Sequence, residues 1–138
     1  MNKRSLTFLM AIMIATLLSI GFASCSSDDD EDSFSVKGST YAAYAYRGGG
    51  MFDSDYYDVY WVYKFTSDTQ YEKTTRQSSI SGGIIGDIET GTYVLNYPNI
   101  TIKAETGILK GSVTSGTFVD KNTFRVGSGS NVMEYTKQ

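Results

Sequence analysis

The chain has 138 residues with 15 acids against 12 bases and no histidine, and a single cysteine, Cys25. The absence of histidine, with no cysteine after residue 25, excludes a Ser-His-Asp triad, a Cys-His pair and the common zinc sites from the C-terminal part. Residues 33–138 carry 10 acids and 10 bases, so there is no basic stripe with which to bind nucleic acid by counterion release.

In chain order, the first element is Met1-Asn2-Lys3-Arg4, a basic start, followed by an apolar run over 6–23 that ends in Phe22-Ala23-Ser24-Cys25. A basic n-region, an apolar h-region and small residues form a targeting segment. With the cysteine placed directly after them, the stretch resembles a bacterial lipoprotein signal. The resemblance implies cleavage after residue 24, lipidation of Cys25, and a membrane partner held through that lipid. An uncleaved transmembrane anchor is the alternative, because 6–23 reaches the roughly 18-residue length at which spanning becomes possible. Both place everything after residue 25 outside the cytoplasm.

Residues 25–37 are read as lipidated cysteine plus tether. The run Asp28-Asp29-Asp30-Glu31-Asp32 has the composition of a solvated spacer, and it also resembles the surface-export signal of some outer-membrane lipoproteins. The expected location is therefore the outer membrane, facing outward. With Lys3 and Arg4 removed, 10 bases remain against 15 acids, a net charge of −5. That charge lies in the tether.

Residues 38–138 show period-two apolar runs broken by Gly, Asn, Asp or Ser at intervals of about 8 to 12 residues, the pattern of an all-β sandwich or barrel. Strands are predicted over 39–47, 56–66, 69–77, 91–97, 99–105, 108–118, 122–127 and 131–137. Two longer Gly-rich breaks, 48–55 and 78–90, read as mobile loops. In the second strand Tyr57, Val59, Trp61, Tyr63 and Phe65 share one face, which is predicted to point inward. By the same parity Tyr93, Leu95 and Tyr97 face together, as do Ile100 and Ile102, Phe124 and Val126, and Met133 and Tyr135. The strand over 69–77 is polar on both faces, which suits a solvated edge or the wall of a wet cavity.

Eight sequential antiparallel strands close most simply as one up-and-down barrel, which abolishes the edges. An immunoglobulin-like sandwich is the alternative fold. The Trp61 strand, the Thr66-Ser67-Asp68 turn, Gly91-Thr92-Tyr93-Val94-Leu95, Asn99-Ile100-Thr101-Ile102, Asn122-Thr123-Phe124 and the closing Asn131-Val132-Met133-Glu134-Tyr135 together resemble the lipocalin-like domain of small bacterial lipoproteins. The expectation is a lipocalin-like β-barrel that binds a small apolar or carbohydrate ligand or a partner protein and does no chemistry.

No cofactor is expected. Asp53, Asp55 and Asp58 miss the spacing of an EF-hand, since position 58 is not Gly and Lys64 stands where Glu is needed; the stretch reads as a solvated turn, with an irregular calcium loop as the alternative. Gly48-Gly49-Gly50 lacks the Gly-Lys-Ser/Thr of a phosphate loop. Asp58, Glu72 and Glu134 are acids within strands, and nothing in their spacing separates a glycosidase pair from charges on a wet face.

The remaining feature is aromatic crowding: 10 of the 19 aromatics fall within 41–65. They serve as core and cross-strand packing or as a recognition surface for sugars, flat hydrophobes or a protein. The candidate ligand contacts are Tyr44, Tyr46, Tyr60, Trp61 and Tyr63. A structural or accessory subunit of a surface complex and a carbohydrate-processing enzyme are the competing functions.

Overall fold

The computed structural model describes residues 33–138. The signal (1–24), Cys25 and the Asp28 to Asp32 run lie outside the described residues. Eight strands follow in order: β1 (Thr40–Gly48), β2 (Tyr57–Phe65), β3 (Gln70–Gln77), β4 (Glu89–Asn96), β5 (Asn99–Ala104), β6 (Val113–Asp120), β7 (Thr123–Val126) and β8 (Met133–Lys137). Each pairs antiparallel with the next, and β8 returns to β1 through Tyr41↔Lys137 and Ala42↔Thr136. The result is a closed barrel, not a sandwich. It contains no α-helix among the described residues; a short 3-10 turn, Asp53–Asp55, sits in the β1–β2 connection.

Several boundaries move: the fourth strand begins at Glu89 and not at 91, and the eighth at Met133 and not at 131. The sixth strand begins at Val113 and not at 108, because 108–112 form a turn in which Lys110 N donates to Gly107 O (3.2 Å) and Ser112 N to Leu109 O (2.9 Å). Residues 78–88 are also not a free loop. Ile84 bridges to Arg76, Ile85 N donates to Thr75 O (2.9 Å), and the Arg76 guanidinium donates to Gly82 O (3.0 Å). This fold-back supplies hydrogen bonds to the half of β3 that β4 leaves unpaired, since β3 and β4 pair only from Gln70↔Thr92 to Lys73↔Glu89.

The connections differ between the two ends of the barrel. At the end where β1 starts, the turns 66–69, 97–98 and 121–122 are short. Their chemistry is local: Ser67 Oγ accepts from Gln70 N (3.0 Å) and Asp120 Oδ1 accepts from Asn122 N (2.7 Å), side chains substituting for backbone partners. At the other end lie the longer connections 49–56, 78–88, 105–112 and 127–132.

The interior of the short-turn end is solid. Val36, Tyr41, Phe65, Tyr93, Ile100, Phe118 and Phe124 are all buried. Phe124 stands at the centre, its ring 5.2 Å from Tyr41, 5.2 Å from Phe118, 5.0 Å from Tyr135, 5.8 Å from Tyr63 and 6.2 Å from Phe65, within the 4.5–7 Å range of favourable aromatic pairs. The hydroxyls at this end find turn carbonyls: Tyr41 donates to Lys121 O (2.9 Å) and Tyr93 to Ser67 O (2.7 Å). Gly91 stands where two strands approach closely. A Cβ there would collide with the Lys103 carbonyl and the Tyr71 ring, so glycine is the residue that lets two backbones approach.

The parity expected from the sequence holds for Val59, Tyr63 and Phe65 of β2, for Tyr93, for Ile100 and Ile102, for Phe124 and for Tyr135, all buried. Tyr97 departs from it: it lies in the β4–β5 turn and is exposed, not a strand residue facing with Tyr93. Outward-facing Ala42, Val62 and Thr74, in register across β1, β2 and β3, are buried as well, and Thr74 Oγ1 accepts from Arg76 Nε (3.1 Å).

Candidate functional site

The long-loop half of the barrel is not filled. A cavity of about 260 Å³ opens there, and a second of about 220 Å³ shares Trp61, Lys73, Glu89 and Leu109 with it. The sheet register builds the wall. Tyr63 pairs with Lys73 across β2–β3, and Lys73 pairs with Glu89 across β3–β4, so three residues from three strands form one row on the inner face. Trp61, one inward position along β2, extends the row toward the mouth.

Around this row the first cavity has three kinds of wall. Tyr71 and Tyr135 add aromatic surface; Ile102, Ala104, Leu109, Val126 and Met133 supply aliphatic surface; Ser112, Thr114 and Asn131 supply polar groups. Asp87, Thr75 and Ile108 join at the second cavity. The loops at the mouth carry exposed apolar side chains, among them Met51, Phe52, Ile84, Ile88 and Ile108. A wider depression of about 500 Å³ lies over Gly116 on the outside of β5, β6 and β7. Its one charged group, Arg125, already donates to Glu134 Oε2 at 2.8 Å.

Glu89 and Lys73 set the electrostatics of the cavity. Tyr71 donates its hydroxyl to Glu89 Oε1 at 2.7 Å. Burial pushes the Tyr63, Tyr71 and Tyr135 phenols far above their ordinary value, and the Glu89 carboxylate adds to the push in each case. Those hydroxyls are therefore neutral donors throughout the physiological range. Burial lowers the Lys73 ammonium below its ordinary value, with Glu89 opposing the shift. The ammonium lies 5.2 Å from the Trp61 ring centre and 5.2 Å from that of Tyr63, within cation–π reach.

Of the five aromatics singled out in the sequence, only Trp61 and Tyr63 line this cavity. Trp61 is half-buried and not a filled-core residue. Tyr44 and Tyr60 pair across β1–β2 on the outer face, edge to face at 5.8 Å. Tyr46 is brought back to the Val59 side by a bulge between Tyr44 and Tyr46, yet it stays exposed near the rim. The bulge adds one residue and so reverses the parity along β1.

Lys73 and Glu89 were not among the sequence candidates. The signal for Lys73 was present in the alternation of β3, where Tyr71, Lys73 and Thr75 share a face; they do form a cavity wall. Glu89 shares parity with Gly91 and Tyr93, a signal lost once the fourth strand is started at 91. Among the described residues no group of three or more carboxylates gathers as a metal site. Scans against protein-family models, curated proteins and solved structures return no match for the chain.

Proposed function

We propose that the chain is a non-catalytic lipoprotein of the outer membrane, anchored through Cys25 and facing outward, whose lipocalin-like barrel binds a small apolar or carbohydrate ligand in its open half. The observation that carries this reading is the cavity of about 260 Å³ in a barrel whose other half is packed solid. Aromatic and aliphatic walls with a few polar groups are the usual composition of a ligand site. The volume lies just below the roughly 300–1,000 Å³ typical of such pockets, which favours a compact ligand.

Titration with N-phenyl-1-naphthylamine tests it. Saturable binding at one site, with quenching of Trp61 and about tenfold weaker binding in Trp61→Ala but not in Tyr44→Ala, is the expected result. If neither this dye nor a glycan panel binds saturably, the accessory-subunit reading takes over, with the apolar mouth loops as its contact surface. The anchor is tested separately by palmitate labelling, which Cys25→Ala should abolish.

Asp87 and Glu89 at the second cavity favour one competing reading, a carboxylate pair acting on a glycoside. It requires turnover of aryl glycosides that Glu89→Gln removes.

A further inference from the structure

The cavity sets several hydrogen-bond donors beside a single carboxylate. Its carboxylate, Glu89, already accepts from Tyr71, while the walls also present the Lys73 ammonium, the Trp61 indole N–H, and the hydroxyls of Tyr63 and Tyr135. Among the described residues the Lys73 ammonium makes no hydrogen bond and no ion pair within 4.0 Å. Its ammonium is held against two aromatic faces instead, and three N–H donors remain for whatever enters. A polar group that is partly desolvated without a hydrogen-bond partner is unfavourable, and an anionic acceptor relieves this more strongly than a neutral one.

We infer that Lys73 is the head-group anchor for a small carboxylate-bearing ligand, whose apolar body lies against Ile102, Ala104, Leu109 and Met133. This rests on the ligand-binding reading above and names the class of ligand. The cavity holds one negative charge as well as one positive, and the two are not equivalent. Glu89 is satisfied in part by Tyr71 and sits as cross-strand neighbour of Lys73, so it orients the ammonium and weakens, without cancelling, the attraction for an anion. A cationic ligand would meet Lys73 on the aromatic faces it needs for its own binding.

Three probes of one shape separate the possibilities: 4-phenylbutyric acid, 4-phenylbutan-1-ol and 4-phenylbutylamine, titrated calorimetrically into the detergent-solubilised full chain. The acid should bind about tenfold tighter than the alcohol, a difference of the size expected for one charge-assisted contact. Lys73→Met should weaken the acid far more than the alcohol, so that the acid loses its lead. Glu89→Gln should widen the acid's lead over the alcohol. Equal binding of acid and alcohol, or tightest binding of the amine, overturns the assignment while leaving the barrel a ligand-binding one. If none of the three binds while the naphthylamine or a glycan does, the assignment falls and the ligand-binding reading stands; if nothing binds, both fall. Should Lys73→Met fail to fold, as judged by circular dichroism, the ranking of the three probes on the unaltered chain decides alone.

Discussion

The two halves of the barrel use the same residue type for opposite ends. In the short-turn half, Tyr41 and Tyr93 bury their rings against Phe65, Phe118 and Phe124 and spend their hydroxyls on carbonyls of adjoining turns. In the long-loop half, Tyr63, Tyr71 and Tyr135 face an open space with Lys73 and Glu89 in it. The carbonyls that accept from Tyr41 and Tyr93 belong to short connections. Where the connections are long, the interior stays wet enough to hold charge, since burying a charge far from water is expensive unless it is paired. A tyrosine in this fold is thus structural or available for binding according to what its hydroxyl meets.

Substitutions should separate the halves, and the largest effect belongs to the filled one. Phe124→Ala removes a ring that touches five others, and a loss of about 3–5 kcal/mol is expected in urea unfolding. Trp61→Ala, in the open half, should lose far less, on the order of 1 kcal/mol, because the indole is only partly withdrawn from water. Equal losses at the two positions would show that the open half is packed in solution. The inward placement of Trp61 expected from strand alternation holds, and of the two roles open to it the structure shows no filled core: its cross-strand neighbour in β3 is Thr75, and the space in front of it is the cavity.

A second test sharpens the contrast by titration. Burial, and then the Asp120 carboxylate, push the Tyr41 phenol from 10.0 up to about 12. The folded state therefore retains a proton that the unfolded chain gives up above pH 10. This contribution is complete below pH 10 and is lost as pH rises toward 12, at about 1.4 kcal/mol per pH unit. Tyr41→Phe should cost about 1 kcal/mol at neutral pH through the lost hydrogen bond and flatten the alkaline decline by about 1.4 kcal/mol per unit. An unchanged slope, followed by chemical denaturation between pH 9 and 11.5, would mean that Tyr41 is accessible to hydroxide.

The smallest effect is expected at Lys73. Its ammonium lies below its ordinary value in the folded state, chiefly through burial, so the charged form disfavours folding, and stability rises as pH climbs through the folded value toward 10.5. Lys73→Met should accordingly leave the melting temperature at pH 7 unchanged or raise it by a few degrees. A marked fall would show that the cation–π contacts with Trp61 and Tyr63 outweigh desolvation, making the lysine part of the scaffold.

The sequence made the fold class readable because a half-buried strand must alternate, and an antiparallel hairpin needs only a short polar turn. The eight predicted strands match the observed ones apart from a few residues at their ends. The misplaced start of β6 has a plain cause: Ile108 and Leu109 are apolar, so they read as strand, yet both are exposed in the loop at the mouth. Two of the five candidate contacts, Trp61 and Tyr63, were legible on the same basis, from the parity of β2. The other three fall outside the cavity, because Tyr44 and Tyr60 share an outer face and a bulge displaces Tyr46 along β1.

From its own residues, then, the chain determined that it would be all-β, antiparallel and sequentially paired, without histidine or cysteine chemistry in its barrel; these follow from local periodicity and composition, which need no knowledge of distant contacts. The sequence also favoured closure as a barrel; only the tertiary structure decided that the interior is filled at one end and open at the other, and that Lys73 and Glu89 stand side by side in the opening. Those are matters of register between strands and of the volume left when side chains from eight strands meet. A one-residue slip in register turns a wall residue outward, and no single segment of sequence records it.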